Sequence, residues 1–189
     1  MILHNIYVDI GLGSSYVDNP IYREFYEINS KFYKIKIWNE EMLNDLIKKY
    51  PKYLSIYTNF THKFYKIDFM RPLILHSEGG FYMDMDNYLT KKLDIEKDYC
   101  IGRYKNEINN DLIYFKDRDI YLKLADFYLQ RSTTCRMPSN WTVRRLQYIC
   151  GQKSFKMFCK SKEIELPLDV PYKFNYTSAW LDAFKKKRY

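Results

Sequence analysis

Two short motifs in the middle of the chain carry the residues best suited to chemistry. Asp68 and Arg71 lie three positions apart in an apolar-periodic segment, so a helix would place this acid and this base on one face. Two glycines then end the helix, and a short strand over residues 81–86 would direct Asp84 and Asp86 to the same side. Adjacent carboxylates repel each other unless a cation lies between them. The pattern predicts a site for a hard divalent ion such as Mg²⁺ or Mn²⁺.

The segments before these motifs alternate between strand and helix patterns. Buried strands are predicted at residues 2–10 and 33–38. One helix is predicted to begin at Pro20 and another after the capping residue Asn39. The order β-α-β-α is typical of an α/β fold with a mostly parallel sheet covered by helices.

The later segments continue this architecture. The helix that carries Asp68 is predicted over residues 61–78, with a kink or a restart at Pro72. Residues 52–60 are ambiguous. Further strands are predicted at residues 99–103, 111–115 and 172–180, and helices at 117–131 and 141–150. Without a repeat or a linker, residues 1–184 are predicted to form one domain, followed by a basic tail at 185–189.

Composition limits the function classes. With 47% hydrophobic and 29% charged residues the chain is ordinary for a soluble globular protein. The net charge of +8 would attract phosphates or anionic membranes, and the tail could make peripheral membrane contact, although a solvated end is the simpler interpretation. We expect a reducing, cytoplasmic compartment, because no secretion signal or membrane span is evident and the cysteines lack metal-site spacing. These are Cys100, Cys135, Cys150 and Cys159.

The central motifs also carry a resemblance to a known family. The run I67-D-x-x-R71 followed by G79-G80-F-Y-x-D84-x-D86 resembles the sugar-binding DXD region of retaining GT-A glycosyltransferases. The nearest pattern is the family of the yeast initiating α-1,6-mannosyltransferase and its bacterial capsular relatives (glycosyltransferase family 32-like), with the clostridial glucosylating toxins more distant. Weaker similarities occur in the right order at residues 2–7, 37–40 and 175–180. The resemblance implies a Rossmann-like GT-A fold.

The resemblance further implies a metal-dependent transfer from a UDP- or GDP-linked nucleotide sugar to a hydroxyl of a glycan, glycolipid or protein, with retention. The implied catalytic residues are Asp84, Asp86 and Arg71. The implied donor-binding residues are Tyr7, Asp68, Arg71, Tyr82, Asp84, Asn109, Asn110, Ser178 and Trp180. The implied metal ligands are Asp86, Asp84, Asn175 and Ser178, with Mn²⁺ or Mg²⁺ as the ion. Asn175 stands where the family usually has histidine, and Pro72 replaces a common aromatic residue.

Two other functions fit parts of the sequence. Aspartate-nucleophile phosphatases also carry a D-x-D pair, but they continue with Thr or Val where this chain has Tyr88, and they usually carry the pair on the first strand. A basic, aromatic-rich protein could instead bind nucleic acid or another polyanion without catalysis. No nucleic-acid motif is present, so nucleic acid is not an expected partner. Arg136, Arg144 and Arg145 would face either an anionic acceptor or solvent.

Overall fold

The computed structural model describes residues 1–9, 20–134, 143–167 and 169–174. Strands and helices alternate over residues 2–48, and the later elements come in runs of helices and runs of strands. The strands are β1 (Ile2–Ile6), β2 (Lys34–Trp38), β3 (Phe81–Met83), β4 (Asn87–Leu89), β5 (Tyr99–Tyr104), β6 (Glu107–Phe115) and β7 (Tyr172–Phe174). The helices are α1 (Pro20–Ser30), α2 (Glu40–Lys48), α3 (Pro51–Asn59), α4 (Lys63–Glu78), α5 (Asp119–Thr134), α6 (Val143–Ile149) and α7 (Gln152–Ser161).

Five strands form the central sheet in the order β2-β1-β3-β6-β5. The β1 strand pairs in parallel with β2 and β3, whereas β6 runs antiparallel to both β3 and β5. The α/β class and the mostly parallel sheet are confirmed with one exception, because β2, β1, β3 and β5 run in one direction and β6 runs against them. The physical reason is the two-residue turn at Lys105 and Asn106, which joins β5 directly to β6. So short a connection can join only antiparallel strands.

A second, two-stranded sheet lies after the acidic motif. Its strands β4 and β7 pair antiparallel, with Asn87 opposite Phe174 and Leu89 opposite Tyr172. The start of the predicted strand at residue 172 is confirmed, and its expected continuation beyond residue 174 lies outside the described residues. This small sheet brings a segment from near the end of the chain beside the D-x-D motif.

Helix boundaries follow local sequence signals. The α1 helix begins at Pro20, as predicted. The Asn39 side chain caps α2 by accepting a hydrogen bond of 2.9 Å from the Met42 amide. The ambiguous residues 52–60 belong mostly to α3, which starts at Pro51 and buries Tyr53 and Tyr57.

Helix α4 runs through the interior of the protein. Its residues 69–75 are all buried, so the helix is packed on every side over two turns. The expected restart at Pro72 does not occur, because the helix continues without interruption to Glu78. Proline has no N–H, so the carbonyl of Asp68 lacks its usual partner four residues later. Apolar packing around α4 compensates for that local cost.

The two glycines after α4 both adopt positive φ angles, 71° at Gly79 and 75° at Gly80. Gly79 ends the helix with an N–H bond to the Leu75 carbonyl, which confirms the predicted glycine cap. A Cβ atom on Gly80 would lie 2.3 Å from the carbonyl oxygen of Ile2. Glycine at this position therefore lets the chain enter β3 directly beside β1.

The two faces of the sheet carry separate apolar clusters. The larger cluster lies on the face covered by α2 to α7, and the smaller one includes Leu3, Phe81, Met83 and Leu112. Within the described ranges, no helix combines the length and the apolar character needed to cross a membrane.

Candidate active site

The guanidinium of Arg71 is the centre of the site. The residue is 6% exposed, lies on α4 and contacts Asn110 of β6 and Asp84, which directly follows β3. Its Nη1 lies 2.9 Å from Asp68 Oδ1, so the predicted acid–base pair on one helix face is confirmed. The same nitrogen donates to the Asn110 carbonyl at 2.8 Å, and Nη2 donates to Asp84 Oδ1 at 2.7 Å. Arg71 thus joins the helix motif to the D-x-D motif.

Tyr82 contacts both partners of the Arg71–Asp84 ion pair. Its hydroxyl donates to Asp84 Oδ1 at 2.6 Å, and its ring centroid lies 4.7 Å from Arg71 Cζ. A guanidinium over an aromatic face gains cation–π attraction. Tyr82 is only 1% exposed, so the structure shows it fixing Asp84 and Arg71. Both contacts to Asp84 use Oδ1, and the side chain of Asp84 remains 28% exposed.

The two acids of the D-x-D motif lie on a turn. The predicted strand over residues 81–86 is wrong beyond Met83, where β3 ends. The Asn87 amide donates to the Asp84 carbonyl at 3.2 Å, which closes a turn over residues 84–87, and its last residue, Asn87, begins β4. We refer to these residues as the 84–87 turn. Asp84 is its first residue and Asp86 its third, so a bend rather than strand alternation sets their directions.

Sequence reasoning missed three polar residues beside this turn. Asp111 on β6 is 2% exposed and accepts hydrogen bonds from Asn87 Nδ2 at 3.2 Å and from the Tyr172 hydroxyl at 2.8 Å. The available signal was the position of Asp111 directly after the Asn109-Asn110 pair. The spacing along the chain gave no sign that Asn87 and Tyr172 would meet it.

Burial controls the charges of the cluster. It raises the pKa of Asp68 to about 6, although the Arg71 guanidinium opposes the shift. It raises the pKa of Asp111 to about 7, and the charge of Asp84 adds to that effect. Burial also raises the pKa of Asp84, against the opposing effects of Arg71 and the Tyr82 hydroxyl. For Arg71, burial acts to lower the pKa, but Asp68 and Asp84 outweigh it and hold the pKa well above its ordinary value. The group therefore keeps its positive charge.

The other predicted donor contacts lie at the same end of the sheet. Tyr7 follows β1, and its amide donates to the Trp38 carbonyl at 2.9 Å. Its ring meets Tyr22 edge-on at 6.4 Å between centroids. On β6, the Asn109 side chain accepts a bond of 3.0 Å from the Asn110 amide. The structure therefore brings Asn110 into contact with Arg71 and places Tyr7 just beyond β1, which is separated from β6 by β3.

Several predicted residues lie outside the described part of the chain. These are Asn175, Ser178, Trp180, Arg136, Cys135 and the tail at 185–189. The side chains of Arg144 and Arg145 are likewise not described. Their roles stay predictions, as does the 1–184 domain boundary.

Comparison with known proteins decides the family. Residues 18–124, more than half of the chain, match the model of the "Glycosyltransferase sugar-binding region containing DXD motif". The chain belongs to this family. The matched residues include the whole of α4, the two glycines and the 84–87 turn.

Two yeast proteins are similar to one segment of this chain. Over 63 residues the chain is 36% identical to mannosyl phosphorylinositol ceramide synthase SUR1 of Saccharomyces cerevisiae and 32% identical to CSH1 of the same organism. Each match covers 33% of this chain but only 16% and 17% of the relatives. The solved structure of the PaToxG glycosyltransferase superposes with a TM-score of 0.56 at 16% identity, covering 85% of this chain and 68% of that one. This likeness shows a shared fold.

The described residues of the DXD site fit a divalent cation. Three buried polar atoms around the site have no hydrogen-bond partner among the described residues: Arg71 Nε, Asn110 Nδ2 and the acceptor Asn87 Oδ1. The Asn87 oxygen is an acceptor that a cation would satisfy, whereas the two N–H donors suit an oxygen of a phosphate or a hydroxyl. Asp84 and Asp86 add carboxylate oxygens, which hard cations prefer. The described residues contain no cluster of three or more His, Cys, Asp or Glu side chains arranged around a metal position, so they would supply only part of its shell.

Proposed function

We propose that this chain transfers a sugar from a nucleotide-sugar donor to an acceptor hydroxyl. The observation that carries the proposal is the guanidinium of Arg71, held 2.9 Å from Asp68 Oδ1 and 2.7 Å from Asp84 Oδ1 within the family-matched residues. A cation fixed in this way is preorganised charge for a leaving diphosphate, whose negative charge grows as the sugar–phosphate bond breaks. The resemblance to retaining enzymes supports retention of anomeric configuration.

Mn²⁺ or Mg²⁺ is the proposed cofactor, with Asp84 and Asp86 as ligands and Asn175 and Ser178 as the remaining candidates. When bound, the ion supplies Lewis-acid neutralisation of the diphosphate. The Asp84 contacts support this assignment, since among the described residues Arg71 and Tyr82 both donate to Oδ1, and Oδ2 would serve a ligand.

The protein's own side chains bind and orient the donor in this proposal. Arg71 Nε and Asn110 Nδ2 are buried donors that a phosphate or a sugar hydroxyl would satisfy. Asp68 accepts from a sugar hydroxyl and holds Arg71 in place. Tyr7 stacks on the nucleotide base. Ser178 and Trp180 would close over the diphosphate.

The names of the yeast relatives suggest which donor and acceptor to test first. The two yeast relatives are named as synthases of mannosyl phosphorylinositol ceramide. We therefore propose a mannose-bearing nucleotide sugar as the first donor to test, before other UDP- or GDP-linked sugars, and a glycolipid as the first acceptor, before glycans and proteins. The basic tail at 185–189 would give peripheral contact with an anionic membrane. A reducing, cytoplasmic compartment is also proposed, supported by the free thiols of Cys100, Cys150 and Cys159.

The test is a panel of nucleotide sugars with Mn²⁺, scored by thermal shift and by slow hydrolysis of the donor. At least one donor should raise the melting temperature and be hydrolysed, and Asp86→Asn should slow the hydrolysis at least tenfold and reduce the rise in melting temperature. Asp169→Asn is the control, because Asp169 forms an exposed ion pair with Lys91 and does not contact the site in the described part of the chain. If no nucleotide sugar stabilises the protein, or if Asp86→Asn behaves like the control, the proposal is wrong.

The same protein samples separate the two alternative functions. A nucleic-acid binder would give a salt-sensitive gel shift that Asp86→Asn leaves unchanged. An aspartate-nucleophile phosphatase would hydrolyse a simple phosphomonoester without any sugar donor. We expect neither result.

A further inference from the structure

We propose that Asp111 is a positioning residue that fixes the 84–87 turn through Asn87 and Tyr172. We call these three residues the Asp111 brace. Neither the D-x-D pattern nor the family resemblance pointed to any of them. The inference concerns the geometry of the turn, and it rests on the proposed function only for what the turn would bind.

Asp111 contacts both ends of the turn. Its backbone carbonyl accepts the Asp84 amide at 2.8 Å, next to the strand pair of Met83 with Leu112. Its side-chain Oδ2 accepts from Asn87 Nδ2 at 3.2 Å. Asp84 and Asn87 are the first and last residues of the turn. One residue of β6 therefore holds both ends of the segment that carries Asp84 and Asp86.

The second oxygen of Asp111 fixes the small sheet. Its Oδ1 accepts the Tyr172 hydroxyl at 2.8 Å, and that hydroxyl also accepts the Arg103 amide of β5 at 3.1 Å. Tyr172 lies on β7, which pairs with β4 directly after the turn. The brace therefore connects the Asp111 carboxylate to β4 and β7 of the small sheet and to β5 of the central sheet.

The fold makes room for this carboxylate. A Cβ atom on Gly102 of β5 would lie 1.9 Å from Asp111 Oδ1 and 3.0 Å from the Tyr172 hydroxyl. The register of β5 against β6 also shifts between Ile101 and Gly102. A buried carboxylate costs free energy even when it is hydrogen-bonded. An apolar side chain at this buried position would cost less free energy than a carboxylate. The hydrogen bonds that Asp111 makes to Asn87 and Tyr172 therefore explain why an aspartate lies here.

Hydrogen exchange tests the brace in the protein without ligands. Tyr172→Phe removes one hydroxyl, and Asp111→Asn keeps the shape but weakens both side-chain bonds. Each should accelerate exchange of the amides of residues 84–89 about tenfold, the factor expected for loss of one hydrogen bond to a carboxylate. Tyr114→Phe is the matched control, because Tyr114 is a buried tyrosine on β6 whose hydroxyl donates to the Ile95 carbonyl away from the turn. It should leave the exchange of residues 84–89 unchanged.

A second measurement separates positioning from plain structural support. Mn²⁺ is titrated in the presence of a nucleoside diphosphate, and its affinity should fall about tenfold in Tyr172→Phe but not in Tyr114→Phe. Unchanged exchange at residues 84–89 would overturn the proposal. So would faster exchange together with undiminished Mn²⁺ affinity. If even the wild-type protein binds neither Mn²⁺ nor a nucleotide sugar, the proposed function fails, and the exchange result alone decides whether the brace holds the turn.

Discussion

Replacing Arg71 with methionine removes the one cation placed between Asp68 and Asp84 in the described site. The side chains of Arg71, Asp68 and Asp84 are 8%, 12% and 28% exposed, so little water is available to replace the lost partner. Removing one member of a buried ion pair typically costs 3–5 kcal/mol. For a chain of this length, 1 kcal/mol corresponds to about 2–4 °C in melting temperature. We therefore expect a loss of roughly 10 °C at pH 8.

The loss should be smaller in acid. The pKa of Asp68 is already about 6 in the wild type. Without Arg71 it rises further, because the positive charge that opposes the effect of burial on this pKa is gone. The folded variant takes up a proton that the unfolded chain does not hold until much lower pH, so its stability increases relative to wild type as the pH falls. Urea unfolding at pH 8 and pH 5.5 measures this difference. Adding Asp68→Asn to Arg71→Met should recover part of the loss at pH 8.

The control for this experiment is Lys36→Met. Lys36 lies 3.0 Å from Glu78, but both side chains are about one-third exposed, and such pairs contribute at most about 1 kcal/mol. The reasoning is refuted if Arg71→Met costs no more than Lys36→Met at pH 8. It is also refuted if the double variant is as unstable as the single one.

Two further predictions concern the neighbourhood of β1. Gly80→Ala should cost about 3 kcal/mol or more in urea unfolding, because its Cβ would meet the Ile2 carbonyl at 2.3 Å, whereas Gly79→Ala should cost about 1 kcal/mol from its positive φ alone. His4 is buried, and its Nδ1 accepts the Trp38 indole N–H at 3.0 Å, so burial lowers its pKa to about 4. Between pH 6.5 and about 4 the unfolded chain binds a proton there that the folded chain does not, so His4 should reduce stability by about 1.4 kcal/mol per pH unit of acidification. The difference between wild type and His4→Gln isolates this slope, and equal slopes would contradict the assignment.

The local parts of the fold could be predicted from the sequence. Helical spacing placed Asp68 and Arg71 on one face, and the Asn39 cap and the glycine stop after Glu78 are where the residue types indicated. Helix α3, over residues that the sequence left ambiguous, also carried a signal, since Tyr53 and Tyr57 are four residues apart and both buried. Each of these features depends on contacts within a few residues.

The parts that could not be predicted depend on contacts between distant segments. Strand periodicity does not encode direction, so the antiparallel pairing of β6 with β3 was not visible. Asp111 is 24 residues from Asn87 and 61 from Tyr172 along the chain, and only the mixed sheet brings them together. The strand predicted through Asp86 ended early because the Asn87 amide bonds back to Asp84.

Pro72 has a consequence beyond the shape of α4. The carbonyl whose helical partner it removes belongs to Asp68, the residue that holds Arg71. A substitution that restored this backbone bond would strengthen a helix whose residues 69–75 are all buried and, at the same time, change the setting of an acid in the site. The backbone stability of α4 and the environment of Asp68 are therefore linked through this one position.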